Sequence, residues 1–407
     1  MKIIYITQHF PPEIGAAPAR AYDLSYYLGK LGHNVTIITA FPNHETNFGI
    51  FKKETMDHVN VYRMFRMKDT KQSALRRLMN YFSFTFSSFI GGIFVQKPDI
   101  VYATTPQLFQ TFSGWLLSKW HRAKFVLEVR DLWVDFAEIL GQFKNKKLLN
   151  LARKLEKFLY KKADLIVVVT NGYKDRLVSE GIPEEKIIVI PNGVNPALLN
   201  DTYANYKDIK TEYNLQNKRV ILYSGNIGSA QGLETVIQAA IKLKDNSDYI
   251  FLFIGEGVEK KRLKELAEQN QLSNVRFIDQ IPKDELISYY KAADIGIVSL
   301  KKHPLFSITI PSKMFDYLSM SIPVLIGVDG EARQIIEKLN GGYFFEPENA
   351  DDFIRALFNA FENEAELKRM RKNLKERLLA HYNREMFAKK LSDHIELLHK
   401  KKERGNA

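Results

Sequence analysis

The chain begins MKIIYITQHFPPEIGAAPARAYDLSYYLGKLG (Met1–Gly32), and the order of residues in this stretch decides the fold. Met1–Thr7 is a short run rich in β-formers, which His9, the Pro11-Pro12 pair and Gly15 interrupt. Tyr22–Leu31 then places apolar residues at helical spacing, and Gly32 is a helix stop. Strand, loop and helix in that order are the repeating unit of a parallel sheet. Runs of the same kind follow at Val35–Ala40, Val59–Phe65, Asp99–Thr104, Lys124–Arg130 and Leu165–Thr170, separated by helical stretches. Their apolar character on both faces predicts a sheet covered by helices on both sides.

After Ile187–Ile190, the sequence Pro191-Asn192-Gly193-Val194 ends this series, and a polar stretch, Asn195–Asn217, follows. A second series then runs through Arg219–Ser224, Tyr249–Ile254, Val275–Asp279, Ile295–Ser299 and Val324–Gly327. The expected fold class is therefore α/β, with two doubly wound, Rossmann-like parallel-sheet domains. The expected bounds are 1–198 and 199–380, followed by a charged helical segment, 381–407. Such a pair leaves a cleft facing the carboxyl ends of both sheets, where open α/β folds bind ligands.

With 407 residues, 45% apolar and 26% charged, the composition is that of an ordinary globular protein. The absence of cysteine excludes disulfides and thiolate zinc sites. The opening residues lack the long apolar core of a signal peptide, which predicts a cytoplasmic protein. A net charge of +12 favours anionic partners. Nucleic acid is the weaker choice among them, because the aromatic residues do not interleave with the basic runs as a stacking platform requires. No metal is expected, since no Asp-x-Asp pair follows a strand and the nine histidines show no ligand spacing. Neither a P-loop nor a Ser-His-Asp order is present. Leu78–Val95, LMNYFSFTFSSFIGGIFV, carries no charge and is flanked by Arg76, Arg77 and Lys97. It is compatible with an interfacial helix, a buried core helix or, against its many polar residues, a membrane span.

Candidate site residues cluster after strands. Ser307–Val324, SITIPSKMFDYLSMSIPV, combines Thr309 in a polar loop, Pro311, a helix N-cap at Ser312, and Lys313 and Asp316 one turn apart. One reading is an anion site at a helix start, with Asp316 accepting from a diol; the other is a plain capped helix with a Lys313–Asp316 ion pair. Ser224–Gly232, SGNIGSAQG, and Gly255-Glu256-Gly257 are glycine-rich ends with amides suited to phosphate. Gly15 lies where a doubly wound sheet brings backbone toward a ligand. Arg20 either aims at an anion or is exposed surface. Arg130 and Asp131 close a buried strand at the edge where function concentrates.

Six segments together resemble family 4 glycosyltransferases of the GT-B fold: Phe10–Asn43, VRDLW (Val129–Trp133), VIPNGV (Val189–Val194), Tyr223–Ala240, IGEGVEKKRL (Ile254–Leu263) and Pro311–Val324. The branch they look most like contains O-antigen and capsule L-fucosaminyl transferases. The resemblance implies sugar transfer with retention, from a nucleotide donor, UDP-linked, to a polyprenyl-diphosphate-linked acceptor. It implies no metal and no cofactor beyond the donor. The protein would sit on the inner face of the cell membrane, touching its anionic surface through residues 76–97. By resemblance, backbone near Gln280 and Ile281 reads the base and Asp316 the ribose, while Gly15, Gly255, Thr309 and Ser312 adjoin the donor. Arg20 and Asp131 would face the acceptor, with Asp131 a reserve base. Two departures stand out. The first acid of the family's Glu-x7-Glu motif falls on Ile308, and the diphosphate-neutralising Arg and Lys fall on Asn226 and Gln231. Lys313 and Arg130 are the expected replacement charges. A non-catalytic nucleotide-sugar-binding or scaffold protein of the same fold is the alternative.

Overall fold

The structure, a computed structural model, describes residues 1–42, 49–68, 74–141, 145–196 and 207–405. Its chain divides into two compact units, Met1–Asn192 with Arg384–Ala407, and Gly193–Asn383. The expected boundary at 198/199 falls outside the described residues, and that at 380/381 stands beside a division after Asn383.

In the first unit the strands are β1 (Lys2–Ile6), β2 (Asn34–Ala40), β3 (Phe51–Met56), β4 (Val59–Met64), β5 (Ile100–Thr104), β6 (Lys124–Val129), β7 (Leu165–Val168) and β8 (Ile187–Val189). They are ordered β3-β4-β2-β1-β5-β6-β7-β8, with every pair parallel except β3 with β4. The central strands are buried almost end to end, as the unbroken aliphatic runs require. Sequence reading misses β3, FKKETM, because its charged residues lie largely exposed and show no alternation. It is an edge strand, paired Met56↔Val59 to β4, and its lysines discourage further strand addition. The helix Arg384–Gly405 belongs to this unit. It joins the helix Ala16–Lys30 through an Arg384–Asp23 ion pair, and His33 Nε2 lies 2.6 Å from Ser392 Oγ.

The second unit holds β9 (Arg219–Ser224), β10 (Tyr249–Ile254), β11 (Val275–Ile278), β12 (Ile295–Ser299), β13 (Val324–Gly327) and the three-residue β14 (Gly342–Phe344), which sequence reading also misses. Their order is β11-β10-β9-β12-β13-β14, all parallel. Ile221, Phe251, Ile295 and Ile297 pack with Val236, Phe353 and Leu357 in a continuous core. Each such side chain contributes about 1.5–3 kcal/mol on burial. Since the strands are parallel and adjacent, the segments leaving the carboxyl ends of β11, β10, β9 and β12 lie side by side.

Candidate functional site

Those segments interlock through the backbone. Gly225 N donates to Ile254 O (2.9 Å), Gly255 N to Ile278 O (3.1 Å) and Ile227 N to Glu256 O (2.8 Å). Of the amides in the two glycine-rich ends, those of Gly225, Ile227 and Gly255 thus already have protein partners. The glycine at 255 has a packing cause: at φ +141°, a Cβ there would come 2.0 Å from Gly225 O. Asn226 is exposed at the tip of the first loop, and its carbonyl accepts from Tyr223 Oη (2.5 Å).

Lys313 opens a seven-residue helix, Lys313–Ser319, too short to supply much of a dipole. Ser312 precedes it with helical backbone angles and no capping hydrogen bond, so the expected N-cap is not formed. The reason is local: the chain already turns at Pro311, where Met314 N donates to Pro311 O (3.3 Å), leaving Ser312 inside the turn instead of extended before it. The Lys313 side chain is half-buried and folds back across the β9 end. Its Nζ donates to Tyr223 Oη (2.5 Å) and Gln231 Oε1 (3.0 Å) and lies 3.8 Å from the Tyr223 ring centroid. A Cβ built at Gly225 would stand 3.7 Å from the same Nζ. Burial lowers the Lys313 pKa to about 7, with the Asp316 charge pulling the other way. Asp316 is exposed one turn later, and its charge adds to burial in raising the pKa of Tyr290, whose hydroxyl lies 3.1 Å from Ser224 Oγ. Thr309 Oγ1 donates to Leu305 O (2.8 Å), within a turn that follows the helix Pro304–Ser307. Gln280 is exposed and Ile281 half-buried directly after β11.

The second unit therefore brings together Asn226, Gln231, Gly255 and Lys313, with Asp316 on the same helix. Tyr223 is the participant that sequence reading misses. Its signal is a tyrosine that follows the aliphatic run Val220-Ile221-Leu222 at the carboxyl end of its strand, RVILYS. A separate cavity of about 370 Å³ borders the glycine-rich loop, lined by Ser229, Glu234, Glu259, Arg262 and Lys301 among others. Arg262 there is already paired, 2.9 Å from Glu234 and 2.8 Å from Glu259.

In the first unit, Gly15 is exposed at the start of the helix Ala16–Lys30 with φ +144°, a region that favours glycine. Arg20, expected to aim at an anion or lie exposed, does not reach solvent, and the anion it meets is the protein's own Glu128. It is 1% exposed and bonds Glu128 Oε1 (2.9 Å), Pro191 O (2.7 Å) and Ile190 O (2.8 Å), fastening the helix to the strand ends. Burial alone would raise the Glu128 pKa, but the Arg20 charge, assisted by Arg130, holds it below the usual range. Arg130 is half-buried; its amide donates to Thr105 Oγ1 (2.8 Å), and its Nε is buried without a hydrogen-bond partner among the described residues. Asp131 beside it is half-buried, and burial raises its pKa against the opposing Arg130 charge.

Two parallel-sheet α/β units of this kind, with glycine-rich strand ends, define the GT-B class of glycosyltransferases. Residues 17–198 match the family described as Glycosyltransferase Family 4 and residues 205–377 that described as Glycosyl transferases group 1, so the chain carries both glycosyltransferase domains. It is 28% identical over 376 residues to an Escherichia coli K12 protein provisionally named as the colanic acid biosynthesis glycosyl transferase WcaI, covering 88% of this chain and 92% of the relative. The amylovoran biosynthesis glycosyltransferase AmsK of Erwinia amylovora is 22% identical, over 90% of this chain and 92% of its own. Among solved structures, the sucrose-phosphate synthase of Thermosynechococcus elongatus has the same fold, with TM-score 0.78, 19% identity and 98% of each chain covered. So does Anabaena HepE in complex with UDP-glucose, with TM-score 0.71, 15% identity, and 97% of this chain and 99% of that one covered.

Proposed function

We propose that this glycosyltransferase moves a deoxy or N-acetylamino sugar, with retention and without a metal, from a UDP-linked donor to a lipid-linked glycan in cell-surface polysaccharide synthesis. The observation that carries the donor side is the Lys313 ammonium, 3.0 Å from Gln231 Oε1, the position where the resemblance puts a cation for the diphosphate. In this reading the charge reaches the same place from the facing helix. The bond from the anomeric carbon to the donor phosphate breaks as the bond to the acceptor oxygen forms. The acceptor proton passes to the departing diphosphate, with Asp131 in reserve as base. Lys313 offsets the negative charge that builds on the leaving group, and stabilising such developing charge is usually the main source of rate enhancement at a site of this kind. Ser312 and Thr309 adjoin the donor, Asp316 accepts from the ribose, and backbone at Gln280 and Ile281 meets the base. The UDP and UDP-glucose complexes of HepE support a uridine donor, and the names of WcaI and AmsK support a polysaccharide product.

Incubation with UDP-, GDP- and dTDP-sugars tests this through donor hydrolysis, thermal shift, and proton NMR of the product's anomeric signal. No hydrolysis and no shift with any donor overturns the reading. Ile308 at the position of the family's first acid favours a second reading, a nucleotide-sugar-binding protein without catalysis. A thermal shift without hydrolysis or transfer would select it.

A further inference from the structure

Arg63 stands in β4 and Arg66 two residues beyond its end, at the carboxyl edge of the first sheet, and they are 2% and 1% exposed. Both reach the loop that leaves β1. Arg63 Nη2 donates to Pro11 O (2.6 Å) and Arg66 Nη2 to Glu13 Oε1 (2.6 Å). Arg63 Nε also donates to Glu54 Oε1 (2.6 Å) on β3. The same loop carries His9, whose ring hydrogen-bonds to Glu13, and it ends in the exposed Ile14 and Gly15. The β3–β4 pair thus fastens a loop at the edge where open α/β folds take their ligands.

These contacts leave donors over. Arg63 Nη1 and Arg66 Nε and Nη1 are buried and have no hydrogen-bond partner among the described residues. A buried N–H without an acceptor is costly, most of all on a charged group. Arg20, buried as deeply as Arg66, makes the contrast: each of its three nitrogens donates, to Glu128, Pro191 and Ile190. Charge is left over as well. Glu54 is shared by Lys52 (3.0 Å) and Arg63, and Glu13 by His9 and Arg66 (2.6 Å), so two carboxylates face three permanent cations before His9 is counted. We propose that Arg66, with Arg63, forms an oxyanion site in the first unit that binds the negatively charged group of the acceptor, a phosphate or a sugar carboxylate. Either group offers several oxygens to such donors, and charge-assisted bonds of this kind are the strong ones. The assignment to an acceptor rests on the transfer reading; the site itself rests on Arg63 and Arg66 alone.

The test is calorimetry on the whole chain carrying Lys313→Met, which removes the cation of the donor side. The titrants are inorganic phosphate, the methyl glycoside of glucuronic acid and, as a neutral control, methyl glucoside. One equivalent of phosphate or of the glucuronide is expected to bind, and the neutral glycoside is not. Adding Arg66→Gln should weaken that binding about tenfold or more, and Arg66→Lys, with one ammonium in place of the guanidinium, by a smaller factor. Binding of phosphate alone identifies the acceptor's charge as a phosphate, and binding of the glucuronide alone as a sugar acid. Binding of neither anion, or binding that Arg66→Gln leaves unchanged, would overturn the proposal. Should Arg66→Gln not fold, Arg63→Gln decides under the same titration, because it removes the other unpaired guanidinium nitrogen; unchanged binding there would overturn the proposal equally. A donor that is not turned over would strike the transfer reading and leave these affinities as they are, so the two fail separately.

Discussion

Arg20 in the first unit and Lys313 in the second are both long cations folded inward at the carboxyl ends of a parallel sheet, and they are held in opposite ways. Arg20 has a buried carboxylate, Glu128, and backbone carbonyls around its guanidinium, and its pKa is raised. Burial itself would lower that pKa; the Glu128 charge outweighs it. Lys313 is hydrogen-bonded to two neutral groups, Tyr223 and Gln231, and its pKa falls to about 7. A cation already matched by an anion holds the fold together. A cation lodged among neutral groups keeps its capacity to meet an anion from outside.

The largest expected effect breaks the matched member. Arg20→Met should destabilise the first unit by about 3–5 kcal/mol, because Glu128 is left buried without its partner. Urea denaturation followed by circular dichroism checks this, and the pH dependence has a definite sign. In the wild type, the depressed Glu128 pKa contributes stability above the unfolded-state value, lost as pH falls through the folded one. In the variant burial is opposed only by the Arg130 charge and by hydrogen bonds from Thr104 and Tyr102, so the deficit should be smaller in acid than at neutrality. An equal deficit at both would mean that Glu128 is not the residue suffering.

Lys313→Met makes the contrast. It should lower donor turnover about a hundredfold, the scale of removing one preorganised charge partner, while the protein stays folded. Activity within a few fold of wild type would end the idea that Lys313 stands in for the charges absent at Asn226 and Gln231. Stability should move the other way. With a folded pKa of about 7, Lys313 carries a penalty that is full below that pH. The penalty fades as pH rises toward the unfolded-state value of about 10.4. The variant should therefore gain most in melting temperature at pH 6 and little at pH 10.

A smaller effect follows for donor binding. An anionic diphosphate raises the Lys313 pKa, so binding takes up a proton and affinity falls as pH climbs above about 7. Lys313→Arg, charged throughout, should flatten that slope. Calorimetry in buffers of different ionisation enthalpy measures the proton directly, and no uptake near neutral pH would remove Lys313 from contact with the diphosphate.

The strands were legible because burial on both faces demands continuous aliphatic runs, and the same rule hid β3, whose charged residues lie largely exposed. The positions of Gly255 and Lys313 were legible, but the cause of the first was not. Nothing local says that the Gly225 carbonyl presses against residue 255. The partner of Arg20 was hidden because it lies 108 residues away on β6, and spacing within a helix carries no information about that. Tyr223 was lost in the continuous buried run of its strand, although its hydroxyl, with Gln231, holds the Lys313 ammonium.

Ser321 tests whether Lys313 acts through charge or merely through the helix that bears it. The helix Lys313–Ser319 closes with Ile322 N donating to Tyr317 O (3.0 Å) and Ser321 N to Leu318 O (3.1 Å), which places Ser321 at φ +57°. This is the left-handed position that glycine usually fills, and the serine Cβ makes it costly. Ser321→Gly should therefore stabilise the second unit by about 0.5–1 kcal/mol, after the extra chain entropy of glycine is set against the relieved strain. The hydroxyl that is lost and the ammonium of Lys313 belong to opposite ends of the helix. If the lysine works electrostatically, the variant should show a higher midpoint in urea and an unchanged slope of donor affinity against pH. A slope that moved with the helix's stability would tie Lys313 to folding and erase its contrast with Arg20.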